Sequence, residues 1–130
     1  MYRNGRGVDV NYKKAFEWYE KAAEQGVAIA QYNLGVMYER GDGVDVNYKK
    51  AIEWYKEAAE QGLANAQYNL GLVYYKGHGV DQDDSMAMRW YAKAAAQGFK
   101  GAEEEINKIL TKRRASKLKY AAASSSAPGE

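Results

Sequence analysis

Apolar and polar positions follow one pattern that returns every 36 residues along this chain. Ala15-Phe16-Glu17-Trp18-Tyr19, Ala51-Ile52-Glu53-Trp54-Tyr55 and Ala87-Met88-Arg89-Trp90-Tyr91 open its most regular stretch, which closes at Gly26, Gly62 and Gly98. A fixed interval of this length marks a repeat array, in which each supersecondary unit buries its apolar face against the next. On a helix of about 100° per residue, Ala15, Phe16, Trp18, Tyr19, Ala22 and Ala23 form a broad apolar arc. Lys13, Glu17, Glu20, Lys21 and Glu24 fill the remainder. An arc so wide predicts a helix packed on two sides, with Ala allowing close approach and the three tryptophans acting as spacers between repeats. The first copy is expected over about 11–25. Asn11, Asn47 and Asp83 precede the three copies as N-caps, because their side-chain oxygens accept from unpaired N–H groups of the first turn. Gln-Gly at 25–26, 61–62 and 97–98 supplies the stop.

A second helix type is predicted over about 28–40 and 64–76. Ala30, Leu34, Met37 and Tyr38 share one face, as do Ala66, Leu70, Val73 and Tyr74. Gly35 and Gly71 stand inside these helices, where Gly costs about 0.8–1.0 kcal/mol against Ala, so a close helix–helix contact is expected there. Gly41-Asp42-Gly43-Val44 and Gly77-His78-Gly79-Val80 then read as tight reversals with a Val plugged into the core. Tyr2, Gly5, Gly7 and Val8 match this segment, so the chain opens inside a unit whose preceding helix is missing. At the other end Ala102 and Ile106 keep the core register, but Glu104 replaces Tyr68 and Asn107 replaces Gly71, as a capping helix from about 100 would require. The expected division is a repeat domain over 1–114 (a partial repeat, two clear repeats and the cap) and a basic, then Ala/Ser-rich disordered tail over 115–130.

The segments Ala-Gln-Tyr-Asn-Leu-Gly-x-x-Tyr (30–38 and 66–74), Gly-x-Gly-Val and Lys-Ala-x-x-Trp-Tyr-x-x-Ala-Ala-x-Gln-Gly (50–62) resemble the Sel1-like repeat family, relatives of tetratricopeptide repeats. The resemblance runs from residue 2 to about 110. It implies an all-α fold, an α/α solenoid of antiparallel helix pairs wound into a superhelix. It also implies an adaptor or scaffold role, binding proteins or peptides, with no catalytic site. Some secreted members of the family are linked to β-lactam binding or hydrolysis; those depend on disulfides, and this chain has no Cys.

Charge narrows the partners. Residues 1–111 hold 14 basic and 16 acidic side chains, whereas 112–130 hold five and one. The body lacks the basic stripe of a nucleic-acid binder. No apolar run approaches the roughly 18 residues of a membrane span, and the first residues have no apolar leader region. With zero Cys, this composition fits a reducing compartment such as the cytoplasm.

Candidate chemistry is that of binding. In a solenoid the first helix of each pair is expected to line the concave face, which would present Tyr32, Asn33, Val36, Glu39 and Arg40, then Tyr68, Asn69, Leu72, Tyr75 and Lys76. Lys108 continues the series at one end and Arg3 at the other. Such a stripe suits an extended peptide or a partner helix, with Tyr as rigid anchors, although Tyr32 and Tyr68 could equally pack on the next repeat. No catalytic residue, cofactor or metal site is predicted. The only His, His78, occupies a loop slot held by Arg6 and Asp42 in the other copies, and Asp42–Asn47 lacks the closing Glu of a calcium loop. Arg113-Arg114-Ala115-Ser116 resembles a basophilic-kinase site, making Ser116 a candidate for modification, beside the plainer reading of a basic last helical turn. The incomplete first unit also raises self-association through the N-terminal end, where Phe16, Trp18 and Tyr19 would lack a neighbour.

Overall fold

A computed structural model describes residues 5–125 of the chain, and the side chains of 11–123. Among these residues there are six α-helices and no strand: α1 (Gly5–Glu24), α2 (Ala28–Arg40), α3 (Tyr48–Glu60), α4 (Ala64–Lys76), α5 (Asp84–Ala96) and α6 (Lys100–Ser125). Each packs chiefly on the helix before it and the helix after it, giving an all-α solenoid held together by neighbours in sequence.

The local signals act as their chemistry requires. Asn47 accepts from the N–H of Lys50 at 3.0 Å and Asp83 from that of Met86 at 3.0 Å, each closing the first turn of its helix. At the end of α3, Gly62 takes φ +97° and donates to Ala59, while Leu63 donates to Ala58, so the last carbonyls are bonded and the chain reverses into α4. The second reversal is tied back differently. The Asn47 N–H donates to the carbonyl of Tyr38 at 2.9 Å and that of Asp83 to Tyr74 at 2.8 Å, with Val44 and Val80 half-buried against the core.

The first copy departs from this scheme. Helix α1 begins at Gly5, so Asn11 lies inside it and Gly5 and Gly7 do not form the expected turn. The turns at 41–47 and 77–83 depend on carbonyls of a preceding helix. No described residue offers such an acceptor to Asn11, and helical bonding is the local alternative. The end of the chain differs too: residues 115–125 are helical where composition predicts disorder, as the second half of α6. Ala, Leu, Lys and Arg are strong helix formers, and a helix already nucleated upstream propagates through them without burying anything. Arg3 and residues 126–130 lie outside the described residues.

The core contains the predicted Ala30, Leu34, Met37 and Tyr38, with Ala66, Leu70 and Val73, all buried. Tyr74 and Ile106 are half-buried, and Ala102 and Ile109 complete the far end. The tryptophans, however, do not fill the interior, although Trp54 and Trp90 pack against the edge of the core cluster. Trp18 is 74% exposed, and Trp54 and Trp90 are only half-buried. They stand at the margin of the apolar arc; Trp90, for example, lines a surface cleft with Lys56 and Glu60 of α3. The next residue fills the interior instead. Tyr55 and Tyr91 are wholly buried, and their rings lie over Gly35 and Gly71. A Cβ at Gly35 would stand 2.6 Å from the Tyr55 ring, and one at Gly71 would collide with Tyr91 in the same way.

Denaturant melts should therefore separate the tyrosine slot of the repeat from the tryptophan slot beside it. Tyr55→Ala is expected to cost about 3–5 kcal/mol and Trp18→Ala no more than about 0.5 kcal/mol; comparable losses would return the Trp to the core. Gly35→Ala should lower stability by about 1–3 kcal/mol through overpacking, reversing the sign that helix propensity alone predicts. A stabilised variant would mean the ring has room to move.

Candidate functional site

The residues expected on the binding face occupy α2 and α4 at matching positions. Tyr32, Asn33, Val36 and Glu39 are half-buried with Arg40 exposed, and Tyr68, Asn69, Leu72 and Tyr75 are half-buried with Lys76 exposed. What joins the two sets is a residue of α3. The hydroxyl of Tyr55 donates to Glu39 Oε1 at 2.6 Å, and the side chain of Asn69, on α4, lies beside that hydroxyl. Tyr32 lies against the Tyr55 ring, centroids 6.0 Å apart. Burial foremost, then the Glu39 carboxylate, raises the Tyr55 pKa well above that of a free phenol, so the group is a fixed donor at neutral pH. Three helices thus meet at one hydroxyl, and Asn69, a candidate for contacting ligand, also serves the scaffold.

One repeat further on the geometry recurs with different chemistry. Tyr68 packs against Tyr91 at 5.6 Å and against Phe99 at 4.8 Å, so its ring is fixed from two sides. Tyr75 stands where the earlier repeat has Glu39, and Glu105 where it has Asn69. Tyr91 Oη, fully buried, has no hydrogen-bond partner among the described residues. Burial, followed by the charge of Glu105, raises its pKa. Glu105 itself pairs with Lys108 at 3.4 Å.

The sequence alone did not single out Asp84 and Lys112. Asp84, the first residue of α5, accepts from Lys112 Nζ at 3.1 Å, and that ammonium lies 5.0 Å from the centre of the Tyr75 ring. The hydrogen bond to Asp84 raises the Lys112 pKa. A signal was present, since Asp84 occupies a slot that is Tyr12 and Tyr48 in the other copies. Arg113 donates to Ser85 at 3.2 Å, fastening the middle of α6 to the start of α5. Ser116 is exposed on α6 beside a cleft of about 770 Å³ walled by Asp84, Leu110, Lys112, Arg113 and Tyr120. His78 is exposed and stacks on Tyr48 at 5.5 Å. Among the described residues no cluster of His, Cys, Asp and Glu is placed to hold a metal ion, and no helix is long and apolar enough to cross a membrane.

Comparison with known proteins agrees with this repeat geometry. The family model of the Sel1 repeat matches residues 1–27, 28–63 and 64–99. Over 35 residues the chain is 49% identical to a sel1-like repeat-containing protein of Acanthamoeba polyphaga mimivirus, covering 27% of this chain and 7% of that protein. Among solved structures, a protective antigen of uropathogenic Escherichia coli with an SLR fold superposes with a TM-score of 0.78 at 42% identity, over 85% of this chain and 24% of that one. A Sel1 repeat protein from Oxalobacter formigenes gives 0.75 at 40% identity, over 85% and 45%. Helicobacter pylori cysteine rich protein B gives 0.64 at 29% identity, over 67% and 65%. The chain therefore spans less than half the length of the first relatives it matches.

Two equivalent tyrosines should respond oppositely to loss of their hydroxyl. Tyr55→Phe removes a bond to a carboxylate and should cost about 1.5–3 kcal/mol, whereas Tyr91→Phe should be neutral or stabilising in the same urea melts. Both phenols have raised folded-state pKa values, so their contribution is complete below the unfolded value of about 10 and is lost as pH rises above it. Stability should accordingly fall from about pH 10 upward, less steeply in the Tyr55→Phe, Tyr91→Phe double variant. Parallel pH profiles for the wild type and the double variant would contradict this assignment.

Proposed function

The chain belongs to the Sel1 repeat family, whose solenoids typically mediate protein–protein interaction, and from that premise we propose that it is a non-catalytic adaptor or scaffold. It binds an extended peptide or a partner helix along the face of α2 and α4. The supporting observation is the recurrence of one partly exposed set, Tyr32/Tyr68, Asn33/Asn69 and Val36/Leu72, on two helices joined through Tyr55. The set is preorganised, because rings held by Tyr55, Tyr91 and Phe99 lose little freedom when a ligand covers them. Mixed aromatic, amide and aliphatic groups at a regular spacing suit successive residues of one segment better than a small rigid molecule.

A second reading, a structural element that self-associates through the α1 end, is supported by a separate observation. Trp18 is 74% exposed and Ile29 49% exposed, whereas the equivalent Trp54 and Trp90 are half-buried. A second copy covering this end would remove that apolar surface from water.

Affinity capture with the full chain as bait, compared with Tyr32→Ala/Tyr68→Ala and with Val36→Glu/Leu72→Glu, tests the first reading. Both variants are expected to lose specific partners while keeping their helical circular dichroism. Retention of partners by the folded Val36→Glu/Leu72→Glu variant would remove this face from the proposal. Sedimentation velocity across a hundredfold concentration range tests the second. Self-association abolished by Trp18→Lys would support it, and a monomer throughout would end it.

A further inference from the structure

Ser116 differs from the other serines of the chain in what precedes it. It follows Arg113-Arg114-Ala115, whereas Ser85 follows Asp83-Asp84 and the serines at 124–126 follow alanines. The neighbouring cations do not serve a helix end. Helix α6 runs on to Ser125 and its last turn holds no basic side chain, so Lys112, Arg113 and Arg114 lie mid-helix, where the helix dipole offers them nothing. Every described side chain from Thr111 to Ala123 is exposed, and Ile109 is the last of α6 to be buried. A segment of this kind opens locally at little cost, and so reaches the extended form in which a kinase reads its substrate.

Two contacts link this part of α6 to the start of α5. Lys112 Nζ bonds to Asp84 at 3.1 Å, and Arg113 donates to Ser85 at 3.2 Å. Both donors precede Ser116 by about one helical turn, which puts them beside it on the helix surface. Lys112, Arg113 and Asp84 also wall the same cleft as Ser116.

We propose that Ser116 is the phosphoacceptor for a serine/threonine kinase that recognises basic segments, and that its phosphate draws Lys112 and Arg113 off α5. The two guanidiniums before the acceptor supply charge-assisted contacts to an acidic substrate groove. In the transfer, Ser116 Oγ attacks the γ-phosphorus of ATP. The bond from that phosphorus to the bridging oxygen breaks, ADP leaves, and the hydroxyl proton passes to the carboxylate base of the kinase. The product carries nearly two negative charges and three acceptor oxygens. Lys112 then has a dianion on its own helix in place of a partly exposed single carboxylate, whose pull is weak in water. Arg113 exchanges a neutral hydroxyl for charged oxygen. Asp84, on the wall of the same cleft, is repelled. All three effects part α6 from the start of α5, and none depends on the peptide-binding face.

The full chain is incubated with magnesium-ATP and the catalytic subunit of cyclic-AMP-dependent protein kinase, and the product is mapped by mass spectrometry. One phosphate is expected, on Ser116, and none in Ser116→Ala. Arg114→Ala should slow the transfer about tenfold or more, through loss of one charge-assisted contact to the kinase. No phosphate, or phosphate only on another residue, overturns the acceptor. The phosphoprotein is then titrated by phosphorus NMR. Held by two cations, the phosphate should titrate below its ordinary value of about 6, and Lys112→Met should return it toward that value. Amide hydrogen exchange over residues 110–120 should rise severalfold on phosphorylation. A phosphate that titrates at about 6, or exchange that stays unchanged, would overturn the release of α6 while leaving Ser116 as the acceptor.

Discussion

Everything in this solenoid depends on how closely two helices approach where a glycine meets a tyrosine ring. At Gly35 the missing side chain lets α3 lay Tyr55 flat against the backbone of α2, and Gly71 does the same for Tyr91 of α5. The closeness has a chemical consequence. A ring seated that deep carries its hydroxyl along the same face of α2 to Glu39, one turn beyond Gly35, which accepts from it at 2.6 Å. A methyl group at Gly35 would push the ring out and with it the polar contact one turn further along α2. A helix-weakening residue is kept inside α2 because packing returns more than propensity loses.

A second, polar thread sets the spacing of the units. Gln61 donates to the carbonyl of Gly26 and to the side-chain oxygen of Gln31, and Gln31 in turn donates to Ala23. Gln97, Gln67 and Ala59 repeat the arrangement. Gln31 and Gln67 are buried yet fully engaged, so each helix end is fastened to the preceding unit by directional bonds rather than by apolar contact alone. Apolar burial by itself tolerates sliding; a bond to one particular carbonyl does not. Together the ring contact and the glutamine relay make each unit a copy of the last in geometry, which holds the two half-exposed sets on α2 and α4 in equivalent positions.

Copies that agree in geometry but differ in chemistry are informative. Glu39 and Asn69 surround Tyr55, whereas Tyr75 and Glu105 surround Tyr91. The first hydroxyl is hydrogen-bonded within the protein and the second has no partner among the described residues, although both rings seat on an equivalent glycine. A gradient of this kind along a repeat array is how one scaffold acquires a distinct end, and here it coincides with the α6 segment that brings Lys112 and Arg113 down onto α5.

The element types, their order, the caps at Asn47 and Asp83, the apolar faces of α2 and α4 and the need for a close contact at Gly35 and Gly71 were all legible along the chain. These follow from periodicity and from residue-level preferences that act over a few positions. Tertiary structure alone decided which aromatic went inside. Trp54 and Tyr55 are adjacent on one apolar arc, and only the position of α2 shows that the slot over Gly35 takes the flat phenol while the indole stays at the rim. It also decided that Asn11 caps nothing, because that turn needs a carbonyl from another helix, and that α6 continues through residues whose composition suggested disorder. Asp84 and Lys112 were invisible as a pair for the same reason. They are separated along the chain and brought together by the packing of α5 on α6, and a hydrogen bond between distant residues leaves no periodic trace in the sequence.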